Sequence, residues 1–369
     1  MGMDARVIPF RGLLLRGDGV PGTRQLSTRR QLLLRTLATG ATVVGGGAFW
    51  ACAQPSDIAK GTAKELPPPE TTTLRIVMPP ECDPGIWLAK DYLRDEGFTD
   101  VRYVATPFTT RRWLTGGLAD LAPAHPEFMV ATIDAGLPLT VLAGLHTGCL
   151  EVWVDGSIAK ISDLRGRRIS VRVADMSDQF FAFFAALLGF VGIDANKDVH
   201  FIEAGIDNYP GMVASFTEGR ADAVLAGGSE GPKMRRQKAR GHVILDTMMH
   251  TPWSQYECCH LVANRDWVRQ NPVAVKRATR AVIRATDSAA KDHARAAHDA
   301  VAGGYPRDES LIIETMAMCT YNWRVVDPED TLTFFGLRLA AAKLIKSTPQ
   351  QLIAAGADFA YMRELRSQL

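Results

Sequence analysis

The sequence lacks a charge bias. Its 42 Lys and Arg nearly balance 40 Asp and Glu, for a formal net charge of +2. No dense basic tract follows the amino-terminal segment, so there is no electrostatic case for nucleic acid. A second long apolar run is also missing. Beyond the first fifty-odd residues nothing reaches the roughly 20 apolar residues a spanning helix needs. No Gly-x-Ser-x-Gly elbow, phosphate loop or His-Glu-x-x-His pair is present, so the expectation is no enzyme, no catalytic residue and no cofactor. Cysteine is sparse: Cys52, Cys82, Cys149, Cys258, Cys259 and Cys319. Cleavage after Ala53 would leave an odd number. At least one would stay free, bind something or pair between molecules in an oxidising compartment.

What is present is an ordinary globular composition, 47% apolar and 22% charged, in a chain of 369 residues. That length suits two domains. Residues 1–53 read as a twin-arginine-type export signal: Arg29-Arg30 precede an apolar segment ending near Trp50, and Ala51-Cys52-Ala53 offers a small-x-small cleavage site. A general export signal with a chance Arg pair is the alternative. Cys52 could instead carry a lipid, although Phe49-Trp50 matches a lipoprotein box poorly. Residues 54–73, with Pro67-Pro68-Pro69, read as a flexible, extended tether.

The rest alternates strands and helices, the grammar of an α/β fold. Two strand-like runs, Leu139–Leu145 and Leu150–Val154, flank a polar insert, His146-Thr147-Gly148-Cys149. The insert is either a plain turn or the passage from one lobe to a second. Residues 261–264 read as a strand returning to the first lobe. Gly117-Leu118-Ala119-Asp120 and Gly219-Arg220-Ala221-Asp222 repeat one phrase on either side of the insert. Each ends a helix and begins a strand, with Asp expected to cap the turn, which points to two similar lobes. One long helix is expected from Asn271-Pro272 to about Ala302, and others follow Asp327-Pro328 and Thr348-Pro349.

Three motifs carry a resemblance: Asp163-Leu164-Arg165-Gly166-Arg167 before a strand, Gly189-x-x-Gly192-Ile193-Asp194 with Lys197-Asp198-Val199, and Gly219-x-Ala221-Asp222-Ala223. From about Thr72 to Ala302 the chain resembles ABC-importer substrate-binding proteins of the nitrate/sulfonate/taurine class, whose superfamily includes thiamine-pyrimidine-precursor proteins. The resemblance implies a type II periplasmic-binding-protein fold: two α/β lobes, a hinge of two crossover strands, and here extra C-terminal helices. Residues 74–154 plus 261–369 would form lobe 1 and residues 155–260 lobe 2. It implies a periplasmic, monomeric venus-flytrap protein that captures a small polar or anionic organic solute and hands it to an ABC permease and its ATPase. The alternatives are a precursor-synthase-like enzyme or a periplasmic sensor.

In such a fold, loops at the carboxyl ends of strands face the cleft. The expected ligand-binding residues are Glu81, Cys82, Trp87, Phe108, Thr109, His146, Cys149, Glu151, Ser177, Gln179, Ser229, Glu230, Trp253 and Tyr256. The hydroxyls read equally as helix caps and the aromatics as core. Glu81, Glu151 and Glu230 oppose a simple anion and favour a ligand with a donor or positive centre. No metal is expected. If the crossovers run side by side, His146, Cys149, Cys258, Cys259 and His260 are the candidate soft-metal ligands, or the thiols form a disulfide.

Overall fold

The computed structural model describes residues 66–107, 109 and 111–368. The expected export signal, Cys52 and the tether up to residue 65 lie outside the described residues. What is described of the tether is docked rather than loose. Arg277 donates to the carbonyls of Leu66 and Pro67, and Glu70 accepts the N–H groups of Val273 and Ala274 at a helix start.

Among the described residues the strands are β1 (Thr73–Val77), β2 (Asp100–Val104), β3 (Leu121–Ala124), β4 (Leu139–Gly148), β5 (Leu150–Val154) and β6 (Arg168–Val171). They continue with β7 (His200–Glu203), β8 (Ala223–Gly227), β9 (His242–Asp246), β10 (Glu257–Asn264) and β11 (Cys319–Thr320). They build two sheets, ordered β11-β4-β10-β3-β1-β2 and β7-β6-β8-β5-β9. In each, three parallel strands (β2-β1-β3 and β7-β6-β8) meet an antiparallel neighbour, β10 in one and β5 in the other.

The two sheets share a local device. Arg75 on β1 gives its backbone N–H to Asp120 Oδ2 at 2.8 Å and its guanidinium to both Asp120 oxygens and the Gly117 carbonyl. Arg168 on β6 repeats this with Asp222, at 2.9 Å, and the Gly219 carbonyl. Gly117 and Gly219 both take left-handed φ, +58° and +82°, which glycine adopts without a Cβ penalty. So the Asp of each repeated phrase clamps an arginine on the neighbouring strand, where the sequence suggested a turn cap.

The polar insert is not a turn. His146, Thr147 and Gly148 continue β4, because β10 and β11 pair alongside: Glu257↔Thr147, Thr320↔Thr147 and Cys319↔Gly148. Only Cys149, at φ +69°, interrupts the chain before β5. β5 pairs with β8 and β9, so the passage between sheets lies at Cys149, ahead of the expected boundary after Val154. β10 likewise begins at Glu257, earlier than expected. The long helix is broken at Asp292, whose side chain caps a second helix, giving Pro272–Lys291 and His293–Ala302.

The helix Gln179–Phe190 is buried along Gln179–Leu188. It packs on the helices Pro126–Asp134 and Pro328–Ala341, which explains why it is apolar all round.

Candidate functional site

A cavity of about 450 Å³ lies where the carboxyl ends of the two sheets meet. Its walls follow the strand ends: Glu81 and Cys82 come after β1, Thr106 and Thr109 after β2, Arg172 after β6, and Gly228 to Lys233 after β8. This is where an open α/β sheet puts a ligand, since the loops there are free of the ladder.

Arg172 joins the two sides. Its guanidinium donates to Asp178 Oδ1 at 3.1 and 2.6 Å, to Thr109 Oγ1 at 2.6 Å and to the Thr109 carbonyl at 3.0 Å. It also lies 4.8 Å from the centre of the Phe180 ring. Asp178 in turn accepts the backbone N–H groups of Arg172, Val173 and Phe180. The other charges of the wall are paired too: Glu81 with Arg307 at 3.2 Å, Glu230 with Lys233 at 2.7 Å, and Asp207 with Arg112 at 2.9 Å. Tyr209 hydrogen-bonds both the N–H and the carbonyl of Gly227, and burial pushes its phenol up. Two buried polar atoms of the wall make no hydrogen bond. Arg307 Nε still faces the Glu81 carboxylate at 3.2 Å, whereas Gln179 Oε1 has neither a hydrogen bond nor an ion pair.

Behind Cys82 lies a second grouping, of thiols and imidazoles. All five described cysteines are buried and none is in a disulfide. Cys149 Sγ is 3.1 Å from Cys258 Sγ. His125 faces Cys258 at 3.6 Å and Cys259 at 3.9 Å. Adjacent residues on a regular strand point to opposite faces. Register shifts between Glu257 and His260 disturb that alternation, so Cys258 and Cys259 reach the same grouping. Burial opposes a charge on His146, but the Asp83 carboxylate at 3.4 Å overrides it and raises its pKa to about 9. Burial lowers His125 to about 4 and raises Glu127 to about 8. Hydrogen bonds from the neighbouring thiols, Cys258 first, push Cys149 down. Cys82 is pushed up by its hydrogen bond to Cys149, and Cys258, Cys259 and Cys319 by burial.

Of the residues singled out from sequence, Glu81, Cys82, Thr109, Gln179, Ser229 and Glu230 line the cavity. His146 and Cys149 belong to the thiol grouping. Phe108 lies outside the described residues. Glu151 is buried against Trp153 Nε1 and Arg235. Ser177 sits outside the lining, its N–H on Asp175. Trp87 packs on Tyr103 and Tyr305, at 4.4 and 5.2 Å between ring centres. Trp253 is buried among Phe183, Phe334 and Phe335, and Tyr256 stacks on Phe334 at 4.0 Å. These aromatics face core because the carboxy-terminal helices cover them. His260 pairs with Glu257 at 3.0 Å. Sequence reasoning missed Arg172, Tyr209, Lys233 and Arg307. The signal for Arg172 was available: an arginine directly after an apolar strand, six residues before an Asp helix cap.

No curated protein matches the sequence. Solved structures do. The periplasmic nitrate-binding protein NrtA from Synechocystis PCC 6803 aligns with a TM-score of 0.66 at 16% identity, over 82% of this chain and 90% of that one. The alkanesulfonate-binding protein SsuA from Xanthomonas axonopodis pv. citri, bound to MOPS, aligns at 0.61 and 15%, over 79% and 99%. A Candida albicans protein described as exhibiting the generic periplasmic binding protein structural fold aligns at 0.62 and 14%, over 78% and 96%. At these identities the likeness establishes the fold, which is that of the periplasmic binding proteins. The family model described as NMT1/THI5 like matches residues 87–296, more than half of the sequence, and the chain belongs to that family.

Proposed function

We propose that this chain is the exported solute-binding component of an ABC importer, and that a small polar organic solute occupies the cavity between its lobes. Lobe 1 would comprise residues 73–148 with 257–369, and lobe 2 residues 150–256. Family membership and the nitrate- and alkanesulfonate-binding names of two structural neighbours support the importer class. Arg29-Arg30 ahead of an apolar segment support delivery to the periplasm, where a permease and its ATPase would be the partners. Closure would follow from ligand contacts to both lobes.

The observation that carries the ligand class is Gln179 Oε1, an acceptor buried in the cavity wall with neither a hydrogen bond nor an ion pair, whereas Arg307 Nε, which also makes no hydrogen bond, faces Glu81. A buried acceptor left unpaired costs about 1–3 kcal/mol, which a ligand N–H or O–H recovers. The wall's cations Arg172, Lys233 and Arg307 are each already held by a carboxylate. A bare anion such as nitrate would have to break one of these pairs. The solute is therefore a neutral or zwitterionic molecule with a hydrogen-bond donor. Capture of such a solute needs no covalent step, and the proposed role is binding.

Native mass spectrometry of protein purified from a periplasmic extract would reveal the solute as an adduct lost on denaturation. Titration with that solute should show roughly 10-fold weaker binding for Gln179→Leu. Nitrate or alkanesulfonate binding that is indifferent to Gln179→Leu would overturn the ligand class. Chemical conversion of the bound solute would overturn the binding-protein reading.

A further inference from the structure

We propose that Cys82, His146, Cys149 and Cys259 form a site for one thiophilic closed-shell cation, zinc(II) or copper(I), at the seam between the two sheets. One ligand atom from each of these side chains lies within 4.8 Å of all the others, and each residue is at most 1% exposed. Three sulfurs and one imidazole nitrogen are a standard tetrahedral zinc set. At Zn–S distances of about 2.3 Å, sulfurs around zinc stand roughly 3.8 Å apart. The donors are thus within an ångström or so of a closed shell.

Two further observations point to a ligand. His146 Nδ1 lies 3.2 Å from the Thr147 carbonyl oxygen, which can only accept. In the neutral ring that bond puts the proton on Nδ1 and leaves Nε2 as the lone-pair atom, the tautomer that binds metals. Nε2 is buried and makes no hydrogen bond; it faces Asp83 Oδ1 at 3.4 Å, and that oxygen makes none either. The Asp83 carboxylate adds a negative field that suits a cation. Cys149 also holds a left-handed backbone, φ +69°. A side chain with a Cβ costs on the order of 1 kcal/mol there relative to glycine. The chain carries that cost at the single residue between β4 and β5, where it aims a thiol at three other donors.

Binding would exchange thiol protons for the cation. Each cysteine that becomes a thiolate releases one proton, the His146 ring releases its Nε2 proton where it is charged, and no electron moves. The cation would join four places: the loop after β1, the end of β4, the passage into β5, and β10. It does not depend on the solute in the cavity, so the two readings fail separately.

The full chain should be purified anaerobically without chelator, loaded with zinc(II) or with copper(I), desalted, and its metal content measured. About one ion per chain is expected. Cys149→Ser and Cys259→Ser should each weaken it by more than the roughly 10–100-fold that loss of an outer hydrogen-bond partner costs. Cys319→Ser should retain it. The metal that survives desalting decides between zinc and copper. Retention of neither, or full retention by Cys149→Ser, overturns the proposal. Should the variants not fold, X-ray absorption at the metal edge of the wild-type protein decides. A first shell of three sulfurs and one nitrogen supports the site. A shell of nitrogen and oxygen only, or one without nitrogen, overturns it.

Discussion

Replacing Arg172 by Met tests whether the cavity wall is held by one buried ion pair. The side chains of Arg172 and Asp178 are 3% and 0% exposed, so water cannot take over either partner. The substitution removes four side-chain hydrogen bonds, two to Asp178 and two to Thr109. Breaking a buried pair from one side costs roughly 3–5 kcal/mol. Asp178 keeps three backbone N–H donors, which offset part of the stranded charge and put the expectation near the lower end, about 3 kcal/mol. With a urea dependence of roughly 3 kcal/mol per molar, the unfolding midpoint should fall by about 1 M. The pair should also couple. In a cycle with Asp178→Asn, the double variant should be less destabilised than the sum of the singles by about 1–3 kcal/mol. An unfolding free energy for Arg172→Met within about 0.5 kcal/mol of wild type would refute the reasoning, because that is the range of a surface change with no partner.

Three other perturbations follow from the geometry. In Gly148→Ala the new Cβ would meet the Met318 carbonyl oxygen at 2.3 Å, in a backbone held at φ +93°; a loss of more than about 2 kcal/mol in denaturation is expected, and a neutral result would contradict the packing at the sheet passage. Trp253→Ala should cost roughly 3–5 kcal/mol through its aromatic cavity while calorimetry gives an unchanged solute affinity; weakened binding would return Trp253 to the cleft. The Asp222 carboxyl is held below its ordinary range by its hydrogen bond from Arg168, so its stabilisation is present above the unfolded pKa and is lost as pH falls through the lower folded value. Asp222→Asn should therefore flatten the acid limb of the stability profile below about pH 4, and an unaltered limb would argue against the clamp.

The α/β alternation and the repeated Gly-x-Ala-Asp phrase were legible because each leaves a local mark: short apolar runs between helix starts, and a glycine at a helix end. The polar break at 146–149 marked the region of the crossover, but left a plain turn open and placed the lobe boundary after Val154. The start of β10 at Glu257 was not, since Glu257 and His260 look like loop residues until their mutual pairing at 3.0 Å is seen. The break at Asp292 was hidden inside an Ala-rich helical pattern with no Gly or Pro to signal it. Trp87, Trp253 and Tyr256 were misplaced for a general reason: an aromatic beside a turn has the same local sequence whether it faces solute or core. Arg172 escaped because its partners, Thr109 and Asp178, come from two different segments. Cys82 joins the thiol grouping only through the fold, from a loop far from the other thiols in sequence.

The matched Arg75–Asp120 and Arg168–Asp222 grips have a mechanical corollary. Each fixes the turn beneath the central strand of its own sheet, so neither half has slack at its base. On the proposed two-lobe reading, closure would fall to the few residues that thread from one half to the other, around Cys149 and the irregular start of β10. A bond fastened across that spine would then act as a brake on the swing of the jaws.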